Sequence, residues 1–381
     1  MSYFITVKQP PKYKQMTLEE LLFGVDTKSA LINPNTTNTR TYKVENINQK
    51  FLDMVDVSYL IGLLEEFNHS TEQLRSVPRS ELYNTFHIPK KSRGLRRIDA
   101  PNTELMDALR RLKMIFEDDF HALYHTSAFA YVKKRSTIDA IKRHQANESK
   151  WFGKYDLSNF FGNTTIDFVM KMFSMIFPFS EIMKNTRGYE ELYKAIELAF
   201  LNGGLPQGTP ISPLITNIMM IPIDYELSNG LRDYNNQRYI YTRYADDFQV
   251  SSKYNFSFRE IEKYIVEVLA SYDAPFTIKA EKTRYGSSSG SNWNLGVMLN
   301  KDNEITVGHK KKRQFQAMLS SYIMDKKNGI NWDLNDIQTM EGYRNYFKMV
   351  EGESIDRIVE HISHKFNVDV VSMIKNDLKS I

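Results

Sequence analysis

The chain has 381 residues, 41% of them apolar, no cysteine and a formal net charge of +4. That length holds two or three packed subdomains. The missing cysteines exclude disulfides and Cys-ligated zinc. No apolar run reaches membrane length and Met1-Ser2-Tyr3-Phe4 lacks a signal-peptide layout, so the sequence predicts a cytoplasmic protein with no membrane partner.

Residues 1–50 are polar, with Asn-Pro-Asn-Thr-Thr-Asn at 33–38, and predict an N-terminal extension or a partner surface. Residues 51–150 read as mostly helical, and Leu105, Leu109, Leu112 and Phe116 form a core stripe at helical spacing. Basic residues cluster at Lys90, Lys91, Arg93, Arg96 and Arg97, at Lys133, Lys134 and Arg135, and later at Lys310, Lys311, Lys312 and Arg313. Any one cluster fits solvated surface. Three of them flanking the acidic segments below fit phosphate neutralisation.

From residue 151 strands and helices mix. Lys154-Tyr155-Asp156-Leu157-Ser158-Asn159-Phe160-Phe161 reads as a short apolar strand ending in a carboxylate, with two aromatics following. The Gly/Pro-rich run from Gly203 to Pro213 leads into a helix, with Ser212 as N-cap and Pro213 at the first helical position. In Arg243-Tyr244-Ala245-Asp246-Asp247-Phe248-Gln249-Val250, alternating apolar and polar residues flank two adjacent aspartates, which predicts a β-hairpin with carboxylates at its tip. Adjacent carboxylates repel, and a fold tolerates them where a divalent cation sits between. Gly286 to Ser291 predicts a flexible loop. Beyond residue 305 the pattern is helical, with Ile355, Ile358, Val359 and Ile362 on one stripe. The eight histidines show no metal-ligand spacing, and His361 and His364 read as surface residues.

Aspartate with two following aromatics, then Leu205-Pro206-Gln207-Gly208-x-Pro210-x-Ser212-Pro213, then Tyr244-Ala245-Asp246-Asp247, resembles the palm of a reverse transcriptase. The Gln-Gly-x-Pro-x-Ser-Pro form is similar to the bacterial retroelement branch: group II intron proteins, retrons and defence-associated enzymes. Ile88 to Pro101 resembles the fingers motif, and Phe129 to Ser136 the basic segment before the first palm strand. Ala280-Glu281-Lys282-Thr283 resembles the lysine motif after the catalytic hairpin, and Asn294-Leu295-Gly296-Val297 the primer-grip turn. The resemblance implies an α+β polymerase right hand. Its parts are an N-terminal extension at 1–50, fingers with part of the palm at 51–150, a palm with an antiparallel sheet and catalytic hairpin at 151–305, and a helical thumb at 306–381.

It also implies an RNA-directed DNA polymerase that uses two magnesium ions, with manganese as an alternative. Asp156, Asp246 and Asp247 are the implied catalytic residues. The implied metal set is Asp156, Leu157, Asp246 and Asp247, with Asp247 the weaker carboxylate ligand. Arg96 is expected over the triphosphate with Lys90, although Arg97 competes because only one of two adjacent strand residues points inward. Phe161 falls at the steric gate that favours dNTPs, and one of Phe160 and Phe161 is expected in the core. Gln207 and Gly208 are expected against the nascent base pair, and Lys282 near the departing pyrophosphate. Lys91, Arg93, Lys133, Lys134, Arg135, Lys310, Lys311, Lys312 and Arg313 are the implied nucleic-acid contacts. The implied partners are an RNA template, DNA product and dNTPs, with an accessory protein or a second copy of the chain as further candidates.

Asn-Ala-x-x-His and Val-Thr-Gly, two marks of retrons, are absent. The stretch after Lys310 leaves room for a thumb but not for an RNase H or endonuclease segment as well. By elimination the reading is a defence-associated or domesticated enzyme that copies a dedicated noncoding RNA in antiphage defence. Three alternatives stay open: template-independent or protein-primed DNA synthesis, RNA synthesis, and a catalytically dormant scaffold binding RNA or a partner. The aromatic at the gate position disfavours the second. The intact Asp156, Asp246, Asp247, Gln207 and Gly208 disfavour the third.

Overall fold

The computed structural model describes residues 56–90, 94–120, 124–287 and 296–379. Lys91, Arg93, Asn294, Leu295, the N-terminal 1–50 and most of the Gly286–Ser291 run therefore lie outside the described residues.

Helix α1 (Val57–Ser70) starts where Asp56 accepts a hydrogen bond from Tyr59 N at 3.0 Å, and it buries Leu60, Leu64 and Phe67. The expectation of a mostly helical 51–150 needs correction. Strands β1 (Tyr83–Pro89) and β2 (Leu95–Pro101) pair antiparallel, and Lys90 N donates to Gly94 O at 2.9 Å to close the hairpin. Gly94, at φ +84°, supplies the left-handed step of that turn. Most of this hairpin is exposed on both faces. Helix α2 (Thr103–Asp118) then buries Leu105, Leu109, Leu112 and Phe116, the stripe read from the sequence. Helix α3 (Thr137–Ala146) opens on a capping box between Ser136 and Asp139.

The central sheet is antiparallel in the order β4-β5-β3-β6, from β3 (Trp151–Asp156), β4 (Tyr239–Tyr244), β5 (Asp247–Ser252) and β6 (Arg284–Ser287). Gly286 and Ser287, expected in a loop, pair with Phe152 and Trp151 because the free edge of β3 offers them a ladder. Between β3 and β4 run helices α4 (Ile166–Phe173), α5 (Thr186–Glu197), α6 (Ser212–Met219) and α7 (Ile221–Arg232), with the Gly/Pro-rich loop linking α5 to α6. Ser212 is the first residue of α6, not its cap. Its N–H donates to Thr209 Oγ1 at 3.2 Å, so the capping oxygen lies three residues earlier and Pro213 sits one step further in. Helix α8 (Phe258–Ser271) follows β5, and β7 (Met298–Leu299) pairs with β8 (Ile305–Thr306).

Apolar burial divides into two cores. One joins α1, α2 and the helices of 160–271 to the sheet, and Phe116 meets Phe173 edge-on with centroids 6.4 Å apart. The second gathers α9 (His309–Lys327), α10 (Leu334–Phe366) and α11 (Val370–Lys379), and includes Phe152 of β3 and Ile141 of α3. Ile355, Val359 and Ile362 are buried in it as the stripe predicts. Among the described residues no helix is long and apolar enough to cross a membrane.

Candidate active site

The register of β3 on β5 sets Asp156 opposite Asp247, and Leu157 N donates to Asp246 O at 3.1 Å. Three carboxylates that the sequence separates thus meet at one end of the sheet. The turn from β4 to β5 is only Ala245-Asp246, and Ala245 takes φ +56°. On the other flank Lys279 N donates to Asp156 O at 2.8 Å and Ser158 N to Thr277 O at 2.7 Å, which draws the Ala280–Thr283 motif onto the site. The Leu157 side chain is fully buried and has no donor atom, so its backbone carbonyl is the group that could hold a metal.

Three ammonium groups meet the acids, Lys279 Nζ the most distant at 3.9 Å from Asp156 Oδ1. Lys282 Nζ lies 3.0 Å from both Asp156 oxygens, and Lys154 Nζ lies 2.9 Å from Asp247 Oδ2. Burial raises the pKa of Asp246, and the Asp156 charge adds to it. Burial likewise lifts Asp247 to about 6, opposed by Lys154. Burial alone would lower Lys282, but the Asp156 carboxylate outweighs it and keeps that ammonium protonated.

The residues fit a divalent cation by their chemistry. Asp247 Oδ1 is buried with no hydrogen-bond partner, and so are both amide atoms of Gln249, two residues on. A buried anionic oxygen without a donor is an uncompensated cost that a cation removes. Among the described residues, no three acidic, His or Cys groups form a cation cage by themselves.

The structure separates the two aromatics as expected. Phe160 is core, stacked obliquely on Phe276 at 5.0 Å, and Phe161 is only partly covered. Leu205 N donates to Phe161 O at 2.9 Å, which lays the Gly-rich loop beside it. That loop also grips β2: Asp99 N donates to Gln207 O at 2.8 Å, and a Cβ on Gly208 would stand 2.8 Å from Asp99 O. The close approach that needs Gly208, at φ +128°, is therefore at least partly to the β2 backbone.

The basic residues divide. Arg97 turns to Asp99 at 2.9 Å, whereas Arg96 is exposed beside Tyr131, a phenol that also feels Tyr244 and Asp246. Lys90 is exposed at the hairpin end. Lys133 pairs with Glu117 at 3.1 Å and Lys134 is exposed. Arg135 departs from its expected phosphate role: its guanidinium donates to the carbonyls of His125 and Ala128 at 2.6 and 2.7 Å, because the preceding loop turns these oxygens inward. Lys311 donates to Gly296 O at 2.6 Å, and Lys312 pairs with Glu351 at 2.7 Å, where α10 kinks. Lys310 and Arg313 stay exposed on α9 beside His309.

Sequence reasoning missed the polar groups behind the site. Arg243, Asp224, Asn217 and His144 are all buried. His144 bridges Ser251 Oγ at 2.6 Å and Thr242 Oγ1 at 2.8 Å. The only signal was an arginine between strand aromatics, which a single strand pattern does not mark as buried.

A family model described as reverse transcriptase (RNA-dependent DNA polymerase) matches residues 88–316. The chain belongs to that family and is an RNA-directed DNA polymerase of the bacterial retroelement type. It is 26% identical over 278 residues to the retron Ec83 reverse transcriptase of Escherichia coli, a match covering 71% of this chain and 84% of that one. It is 28% identical over 272 residues to the retron Ec73 reverse transcriptase of the same organism, covering 69% and 82%. These similarities exist although the two retron marks are absent here. Among solved structures, apo telomerase from Candida tropicalis aligns at 11% identity and a TM-score of 0.42, covering 78% of this chain and 61% of that one.

Proposed function

We propose that this enzyme copies an RNA template into DNA by nucleotidyl transfer at Asp156, Asp246 and Asp247, with magnesium held by these carboxylates and the Leu157 carbonyl. The observation that carries the assignment is the convergence of the three acids at one sheet end, with a buried Asp247 oxygen lacking any donor. Magnesium is commonly held by one or two carboxylates together with substrate phosphates, which suits an acid set that forms no cage alone. When bound, it supplies positive charge that acidifies a primer 3′-hydroxyl and neutralises the triphosphate.

The chain's own groups do the rest. Arg96 and Lys90 present cations to the triphosphate from the fingers hairpin, and a planar guanidinium suits bidentate phosphate contact. Phe161 closes the space where a ribose 2′-hydroxyl would stand. Lys282 stays charged beside Asp156 and donates a proton or hydrogen bond to the leaving pyrophosphate. Lys133, Lys134, Lys310 and Arg313 line the path of the nucleic-acid backbone. Within the bacterial retroelement branch that Gln207 to Pro213 resembles, the proposed template is a dedicated noncoding RNA and the proposed role is antiphage defence, a reading reached by elimination.

The test uses full-length protein from cells carrying its own gene neighbourhood, beside an Asp246→Ala, Asp247→Ala double variant. Labelled dNTPs and magnesium are added, and bound RNA and products are sequenced. DNA complementary to one bound RNA, made only by the wild type, is the expected result. Simple-sequence DNA unrelated to that RNA would overturn templated copying, and no incorporation on an added primed RNA would overturn the active-site assignment.

A further inference from the structure

Behind the acidic turn lies a sealed polar chain. The side chains of Arg243 and Asp224 are wholly buried. Arg243 Nε donates to Asp224 Oδ1 at 2.8 Å, and Nη2 to Oδ2 at 2.8 Å. Tyr241 Oη donates to the same carboxylate at 2.9 Å. The remaining nitrogen, Nη1, donates to Asn217 Oδ1 at 3.0 Å and to the Ala245 carbonyl at 3.3 Å. Asn217 Nδ2 then donates to the Ala130 carbonyl at 2.6 Å. The Arg243 backbone is pinned as well, donating to Ser127 O at 2.7 Å and accepting from Phe129 N at 2.9 Å.

Stability alone does not explain this arrangement. A buried ion pair is often matched or bettered by apolar residues of the same volume. What apolar residues cannot do is fix the direction of a peptide. The Ala245 carbonyl and the Asp246 N–H belong to one peptide plane, so a donor on that carbonyl sets the angle at which Asp246 leaves the turn. Ala245 is also a non-glycine residue in the left-handed region, at φ +56°, a conformation that persists only where its surroundings over-determine it.

We propose that Arg243, aimed by Asp224 and Asn217, is a positioning residue that holds the Ala245 carbonyl and thereby orients the Asp246 carboxylate. This rests on the reading of Asp246 as a catalytic acid. The same chain of hydrogen bonds ends on Ala130, so the segment leading to Tyr131 and the catalytic turn are set by one buried guanidinium.

The experiment replaces the pair by apolar residues, Arg243→Met with Asp224→Leu, in the full chain. Melting temperature, binding to a primed RNA and single-turnover dNTP incorporation are measured against magnesium concentration. A folded double variant that binds primed RNA normally, yet incorporates about a hundredfold more slowly, is expected, the scale of an ångström-level misplacement. A folded double variant with wild-type rate overturns the proposal. Should the double variant not fold, Arg243→Lys keeps the charge but cannot span Asp224 and Ala245 together. Its half-saturating magnesium is then expected to rise severalfold. An unchanged magnesium dependence, with activity lost only in proportion to unfolded protein, overturns the proposal. Asp246→Ala in the same assay separates the two readings: if it retains incorporation, the catalytic assignment fails first.

Discussion

Two antiparallel hairpins of similar length do opposite jobs. β1–β2 is exposed along nearly all of its first strand and half of its second, and Arg96 projects from it with no recorded ion pair among the described residues. β4–β5 is buried on both faces, carries a fully buried arginine, and ends in two carboxylates. The difference is one of stored constraint. The β4–β5 hairpin is fixed by packing and by a satisfied ionic network, so its acids keep one geometry. Among the described residues the β1–β2 hairpin is held mainly by its own ladder and the Gln207–Gly208 loop, so its exposed cations sit on a lightly held support.

The comparison breaks most visibly at the acids. Asp246→Ala should lower incorporation about a thousandfold, equivalent to ~4 kcal/mol of transition-state charge stabilisation, with the melting temperature nearly unchanged. An active Asp246→Ala enzyme in a primed-template assay would remove the site from this hairpin. Next is the buried pair. Arg243→Leu alone strands the Asp224 carboxylate in the core and should cost about 3–5 kcal/mol by urea unfolding, whereas Arg96→Ala should change stability by less than about 0.5 kcal/mol. Equal losses in the two variants would show that the hairpins are not held differently.

Acid should act where His144 bridges β4 and β5. Burial pushes His144 down to about 3, well below the ordinary 6.5. Its folded pKa is thus depressed, so the unfolded chain binds the proton first. Stability is complete above pH 6.5 and falls as pH drops towards 3. Between pH 6.5 and 5 the loss for this one group is about 2 kcal/mol. His144→Asn should flatten that part of the stability–pH curve, and an unaltered slope in urea titrations would count against a neutral buried imidazole. The smallest expected effect separates adjacent arginines. Arg96→Ala should raise the dNTP KM about tenfold, or ~1.4 kcal/mol, while Arg97→Ala, which loses only its contact with Asp99, should stay near wild type. The reverse order would put Arg97 over the triphosphate.

Much of the site was legible because its chemistry is local. Asp156 at a strand end, Asp246-Asp247 at the tip of a hairpin and the Gly203–Pro213 loop are short-range patterns of turn and strand chemistry. The Leu105–Phe116 and Ile355–Ile362 stripes were legible because helical burial has a fixed period. Charge was the poorest guide. Arg135 and Lys312 belong to basic runs that read as nucleic-acid contacts, yet one is spent on carbonyls and the other on Glu351. Linear sequence does not say which member of a run faces inward, because that depends on the loop or helix packed against it.

The sequence by itself determined the helical stripes, the acids and the family they belong to, since periodicity, turn residues and motif order are properties of neighbours along the chain. Tertiary structure alone decided that Asp156 stands opposite Asp247, that Arg97 turns to Asp99 beside an exposed Arg96, and that Arg243 reaches Ala245 from the core. Each of those depends on strand register and on burial shared between distant segments, and the direction of a side chain in a packed interior is fixed by neighbours that the sequence does not list.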